Sequence, residues 1–134
     1  MRIISPLRVP ISKNKFWILN LNQYRNSHYQ VLNNAKIAYK KLIKDQVEIL
    51  PKLDKVFITY KLYPATKCKM DIGNVTAIHR KFFEDALVEL GRIPDDDYHH
   101  VLGSSEMFVE VDPIHPRVEI YITEVKDEHP VKSK

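Results

Sequence analysis

The sequence predicts a single α/β (α+β) domain in which two main helices pack on one mixed β-sheet. Two stretches, His28 to Gln46 and Asn74 to Leu90, repeat apolar residues with the period of an amphipathic helix. Segments around Arg2 to Val9, Lys55 to Tyr63, His100 to Val111 and Arg117 to Val125 have strand character. The resulting order, β-α-β-α-β-β, is that of helices laid on a sheet. With 134 residues, 44% of them hydrophobic, the chain is long enough for one core.

Each element has its own signal. Pro6 interrupts the first strand, Arg2 to Val9, and points to an edge strand or a bulge. Residues 10–26 are rich in Asn, lack a helical period and read as a long ordered loop, a kind of segment that is often functional. Ser27 is placed to cap the first helix, whose Val31, Leu32, Ala35, Ala38, Tyr39, Leu42 and Ile43 share a face. Lys36, Lys40, Lys41 and Lys44 lie off that stripe, as on any solvated face. Lys55 to Tyr63 carries bulky residues on both faces, the pattern of a central strand, and Pro64 to Lys69 is a basic loop. In the second helix Val75, Ile78, Phe82, Ala86 and Leu90 form a stripe, widened by Phe83 and Leu87, and Gly91 stands at the C-cap. A turn, Pro94 to Asp97, leads to the strand with Gly103 as its expected irregularity and then to the last strand. The domain spans residues 1–125, and 126–134 read as a polar C-terminal tail.

Charge and cysteine content narrow the function classes. A formal net charge of +4 permits a polyanionic partner without requiring one. The one cysteine, Cys68, allows no intramolecular disulfide and suits a reducing compartment; between Lys67 and Lys69 it reads as an incidental thiol in a basic loop. No apolar run reaches membrane-spanning length and no secretory leader is visible, so the expectation is a soluble cytoplasmic protein with no membrane partner. Three isolated glycines exclude a Gly-rich phosphate loop, and His79, His99 and His100 lack zinc spacing.

The chemistry concentrates between Met70 and Tyr98. Asp71 precedes the second helix, and Asp95, Asp96 and Asp97 come after it. Mg²⁺ is typically held by one or two carboxylates plus water and substrate phosphate, and such a site can drive phosphodiester hydrolysis. A helix of this length holds its ends about 25 Å apart, so the two clusters meet only if the loop before it folds back or a second subunit supplies one of them. On composition alone, the triplet is a polar turn after a proline, Asp71 is an ordinary residue before a helix, and Lys81 with Asp85 is a surface pair. Lys13, Asn14, Lys15 and Arg25 gather around Tyr24, and a polar loop of this kind suits phosphate and sugar contacts. Phe16 and Trp17 read as core anchors.

Taken together these residues resemble the RusA family of Holliday junction resolvases. The family pattern is an Asp-x-Asp-Asn start, a helix Lys, an Asp-Ala-Leu, a Gly and a paired Asp. Asp71-Ile-Gly73-Asn74, Lys81, Asp85-Ala86-Leu87, Gly91 and Asp95-Asp96 match it in order. Val9-Pro-Ile-Ser-Lys-Asn14 resembles the family's opening, and Val118 to Glu124 its last strand. The resemblance implies a homodimer that binds four-way junctions or other branched DNA and cuts them with Mg²⁺, or Mn²⁺, held by acidic residues. Carried over, it makes Asp71 and Asp96 metal ligands with Asp95 and Asp97 beside them, and Lys81 the lysine that supports catalysis or contacts the scissile phosphate. Lys13, Asn14, Lys15, Arg25, Lys67, Lys69 and Arg80 become candidate DNA contacts. Two departures stand out: Gly73 occupies the position of the pattern's second Asp, and the segment from Asn74 to Lys81 is about one helical turn longer, which displaces the helix start by about 5 Å. Asp85 or Asp97 is then a candidate replacement ligand, and a binder of branched DNA that does not cut is the alternative function.

Overall fold

Six strands and three helices arise from the alternation of buried and exposed residues in a computed structural model, which describes residues 1–67 and 71–126. Cys68, Lys69 and the tail beyond Lys126 lie outside the described residues. The chain forms one small domain of mixed α and β structure, as its periodicities predict.

The N-terminal third departs from expectation. Arg2 to Val9 is not one strand: Pro6 cannot donate to a ladder, so β1 (Arg2–Ser5) ends before it and β2 (Arg8–Ser12) leaves the sheet. β2 pairs only with β3 (Lys15–Ile18), antiparallel, with a bulge between Pro10 and Ser12. The expected long loop therefore contains a hairpin, then a short helix α1 (Leu21–Asn26). Asparagine side chains explain that helix. Asn20 Oδ1 accepts the Gln23 N–H at 2.8 Å, and Asn74 Oδ1 accepts the Leu21 N–H at 3.2 Å. Trp17 is buried and stacks on Phe82 at 5.4 Å, whereas Phe16 is exposed beneath the Arg8 guanidinium, so only the former is a core anchor.

Helix α2 spans Tyr29–Glu48 and buries Ala35, Tyr39, Ile43 and Val47. Its cap is His28 rather than Ser27, because the Ser27 hydroxyl accepts from Trp17 Nε1 at 2.9 Å and donates to the Gln23 carbonyl. Four strands form the main sheet in the order β1-β6-β4-β5, with β4 Val56–Tyr63, β5 Val101–Phe108 and β6 Arg117–Glu124. β1 and β4 flank β6 antiparallel, and β4 runs parallel to β5, making the sheet mixed and β4 central. Val56, Ile58, Tyr60 and Leu62 are buried on one face of β4. The bulk on its other face is not core: Lys61 lies over Tyr121 and Tyr63 under Arg117, a layer of cation–ring contacts across the strands. The register slips at Gly103, where an added Cβ would sit 3.1 Å from the Phe57 ring.

Helix α3 (Ile72–Glu89) is the crossover that a parallel β4–β5 pair requires. It starts two residues earlier than its apolar stripe predicts, because Asp71 caps it by accepting the Gly73 N–H at 3.1 Å. It buries Val75, Thr76, Ile78, His79, Phe82, Phe83, Ala86 and Leu87. His79 Nδ1 lies 2.7 Å from Ser5 Oγ, which lies 2.6 Å from the Tyr39 hydroxyl, joining α3, β1 and α2. Burial pushes His79 down to about 3, so the ring stays neutral. At the C-terminal end Gly91 has φ 74 and its N–H bonds the Val88 carbonyl at 3.0 Å. A Cβ there would touch nothing within 4 Å, so the cost of a side chain is purely conformational. Gly91→Ala is therefore expected to lower stability by about 1–2 kcal/mol, measured by urea unfolding, with Gly91→Asn costing less.

Candidate functional site

Gly73 opens the site. It lies in the first turn of α3, and a Cβ built on it would stand 3.5 Å from Asp71 Oδ1 and 3.9 Å from Glu106 Oε2. The two carboxylates thus approach one point from different elements, Asp71 from the helix cap and Glu106 from β5. The Thr76 hydroxyl donates to the Glu106 carboxylate and lies 3.0 Å from the Ile72 carbonyl oxygen. The α3 N-terminus favours the Asp71 charge through the Gly73 N–H that this carboxylate accepts.

Matched spacings extend the site along α3. Four helical residues and two strand residues each advance about 6–7 Å, so side chains of α3 meet every second side chain of β5. Ser104 and Glu106 face the same way as Ile58 and Tyr60, with which they are paired, and so point toward the helix. Gly73, Thr76, Ala77 and Arg80 meet Ser104, Ser105, Glu106 and Tyr60 around a cavity of about 230 Å³. Arg80 Nη1 reaches Ser104 Oγ at 3.5 Å and Arg80 Nε stands 4.0 Å from Glu84 Oε2. Glu84 accepts from the buried Tyr60 hydroxyl at 3.3 Å. Burial pushes the Glu84 carboxyl up to about 7; Arg80 and the Tyr60 hydrogen bond oppose that rise, and the charges of Asp96 and Asp85 add to it.

The expected ligand set of Asp71, Asp95, Asp96 and Asp97 is not assembled within one chain. The physical reason is α3 itself, whose 18 residues form a rod about 27 Å long between them. The triplet instead shapes the turn: Asp95 Oδ1 accepts the Asp96 N–H at 2.7 Å, and Asp97 Oδ1 accepts the His99 N–H at 3.0 Å. Asp96 acts electrostatically on Glu84 and Asp85. Burial raises the Asp85 carboxyl, against the pull of Lys36, in a cleft between α2 and α3 rather than beside Asp71. Among the described residues no three His, Cys, Asp or Glu side chains are grouped to hold a metal ion. Asp71 and Glu106 are hard oxygen donors of the kind that Mg²⁺ takes from a protein, in the number that ion usually takes.

The other expected residues sit around this centre. Lys81 is exposed and places its Nζ 5.5 Å from the Tyr24 ring, on the α1 side of α3 rather than in the cavity. Lys13, Asn14 and Lys15 are exposed at the hairpin tip, Arg25 at the end of α1, and Lys67 beyond β4. Only Arg80 lines the cavity. Glu106, Thr76, Glu84 and Ser104 carried no readable motif. Their one signal was Ser104-Ser-Glu106, polar residues at the inward positions of a strand.

Among the described residues no helix is long and apolar enough to cross a membrane. No family model matches the chain, and none of the curated proteins matches it.

The Glu84 carboxyl supplies a pH prediction. Its folded value lies above its ordinary one, so the folded state holds an extra proton between about pH 4.5 and 7, and stability falls as pH rises through that window. Glu84→Gln is expected to change thermal stability little at pH 5 and to raise it at pH 8 by about 1 kcal/mol, a figure reduced for partial solvation. Calorimetry at the two pH values checks it; an equal effect at both would remove the assignment.

Proposed function

We propose that this chain is a Mg²⁺-dependent endonuclease of RusA type that acts on four-way junctions or other branched DNA. The observation that carries the reading is the meeting of Asp71 and Glu106 at Gly73, where the family pattern expects an acid. Glu106 brings back, from another element, the negative charge that Gly73 omits. Asp71 and Glu106 would hold the ion. When bound, Mg²⁺ supplies activation of water and neutralises charge on the leaving oxygen. Arg80 contacts a phosphate a few nucleotides from the scissile one, and Lys81, on the neighbouring face, meets the strand as it passes α1. The hairpin tip with Lys13, Asn14 and Lys15, together with Arg25, Lys67 and Lys69, contacts backbone phosphates and positions the DNA without reading its sequence.

The homodimer belongs to the same proposal. β5 is an edge strand, and Leu102, Met107 and Phe108 on it, with Val109 just beyond, are exposed. An unpaired edge bearing apolar residues supports pairing with a second copy. A second copy would also give the Asp95–Asp97 turn a route to Asp71 that one chain denies it.

Synthetic four-way junction with Mg²⁺ or Mn²⁺ is the substrate for the test. Asp71→Asn and Glu106→Gln are each expected to reduce cleavage at least a hundredfold while retaining junction binding. Wild-type cleavage by Glu106→Gln would sink the site. Gly73→Asp meets only ordinary van der Waals distances, so the chain accommodates it. It adds a third carboxylate, and the rise in melting temperature on adding Mg²⁺ is expected to exceed that of the wild type.

A second reading is a junction-binding protein that does not cut. It is favoured by the pair of carboxylates standing where the described residues offer no third. Junction retarded but uncut with either ion would select it. Absence of both binding and salt-dependent retention on DNA would overturn both readings.

A further inference from the structure

We propose that Arg80, Ser104 and Glu84 form a phosphate subsite in the α3–β5 cleft, and that an anion bound there takes up a proton on Glu84. The inference deepens the nuclease reading, on which it rests for the identity of the polyanion alone.

The subsite is built from donors that are present but unsaturated. A guanidinium offers five N–H groups in a planar fork suited to phosphate. Among the described residues Arg80 spends them on long contacts, 3.5 Å to Ser104 Oγ and 4.0 Å to Glu84 Oε2. Its side chain is 57% exposed, whereas that of Glu84 is 12% exposed, so an anion approaches the arginine from the open side while Glu84 stays behind it. Ser104 contributes a hydroxyl donor from the facing strand. The cavity of about 230 Å³ leaves room for the anion. Arg80 lies seven residues beyond Gly73, about 10 Å along the helix, or two to three nucleotides at the rise of a DNA strand. It is therefore spaced to hold a phosphate near the scissile one, not that phosphate itself.

Glu84 decides how strongly Arg80 attracts that phosphate. Ionised, it neutralises the guanidinium from behind; protonated, it leaves the charge to the anion. The groups around it divide by sign. Asp85 on α3 and Asp96 on the turn after it are negative and favour the protonated form. Arg80 and the Tyr60 hydrogen bond from β4 favour the ionised form, and burial, which outweighs them, holds the carboxyl near neutrality. Glu106 on β5 lines the far end of the cavity and repels an anion at any pH where it is ionised. A phosphate on Arg80 adds one more negative charge beside Glu84. It must raise the proton affinity of Glu84, and by reciprocity protonation must strengthen the binding of phosphate.

Sulfate is the probe, because its charge does not change between about pH 5 and 9. With ¹³C-labelled glutamate, the Glu84 carboxyl is assigned by its absence in Glu84→Gln, and its titration is followed with and without sulfate. Sulfate is expected to move the Glu84 midpoint upward, and Arg80→Ala to abolish the movement. In a second arm a labelled four-way junction is titrated in EDTA. Wild type is expected to bind about fivefold more tightly at pH 6 than at pH 8, beyond the change seen with Glu84→Gln. Asp85→Asn, which removes a charge that favours the protonated form, is expected to lower the midpoint while keeping its upward movement with sulfate. An unmoved midpoint overturns the subsite whatever the junction does, and Glu84→Asp supplies the same assignment if Glu84→Gln fails to fold. Equal pH dependence in wild type and Glu84→Gln overturns it as well. A moved midpoint without junction binding upholds the subsite and overturns the nuclease reading.

Discussion

A parallel pair of strands cannot be joined by a tight turn, so β4 and β5 require a crossover, and α3 supplies it. The direction of that crossover sets where the cleft residues stand. α3 runs back over the strands, so its capped N-terminus lies toward the end of β5 that carries Glu106, and its middle lies over Ser104. Because β5 is the edge of the sheet, the helix overhangs a strand with no neighbour on its far side among the described residues. Its inward positions need not be apolar there, and they hold Ser104 and Glu106 where the same face of β4 holds Ile58 and Tyr60. An inward charge on an edge strand also discourages indiscriminate edge pairing, so Glu106 serves the fold as well as the site.

The opposite flank of α3 is held more rigidly. His79, Ser5 and Tyr39 join three elements through a buried chain of short hydrogen bonds, and His79 Nε2 is the one buried side-chain atom without a partner among the described residues. A neutral ring there tolerates the missing bond better than a charged one, consistent with the downward push of burial. β1 is tied to α2 on both sides of one residue, with Gln46 accepting from the Ile4 N–H at 2.8 Å and donating to its carbonyl at 2.9 Å. Trp17 against Phe82 anchors the hairpin to α3. One face of α3 is thereby fixed by buried contacts, which leaves the cleft face geometrically defined and open.

Elements whose structure is dictated locally were legible: α2, α3, β4 and β6 each carry a period that their burial repeats, and Gly91 and Gly103 mark a cap and a slipped register. The hairpin and α1 were not, because part of what holds them is distant: Trp17 of the hairpin stacks on Phe82, and α1 adds to its local Asn20 cap a bond to the side chain of Asn74, more than fifty residues away. The site divides in the same way. Asp71 was visible as a residue before a helix, and it is the cap of α3. Glu106 was invisible because its role arises from parallel pairing and from a helix passing overhead, neither of which leaves a mark on the residues around it. The Asp95–Asp97 triplet stood out in the sequence, yet a rigid helix keeps it from Asp71 within one chain.

A carboxylate on the facing strand differs physically from a second one on the helix. Two carboxylates in one helical turn repel each other through a fixed short connection, and only a cation or burial relieves them. A carboxylate on β5 is attached to a different element, so its approach to Asp71 is set by the packing of α3 on the sheet. The Thr76 hydroxyl offsets part of its charge. Glycine at position 73 leaves the space beside both carboxylates open, and a Cβ there would stand at ordinary van der Waals distance from each. The charge beside Gly73 thus depends on the packing of α3 on β5, which brings Glu106 near, as well as on the Asp71 cap of the helix itself.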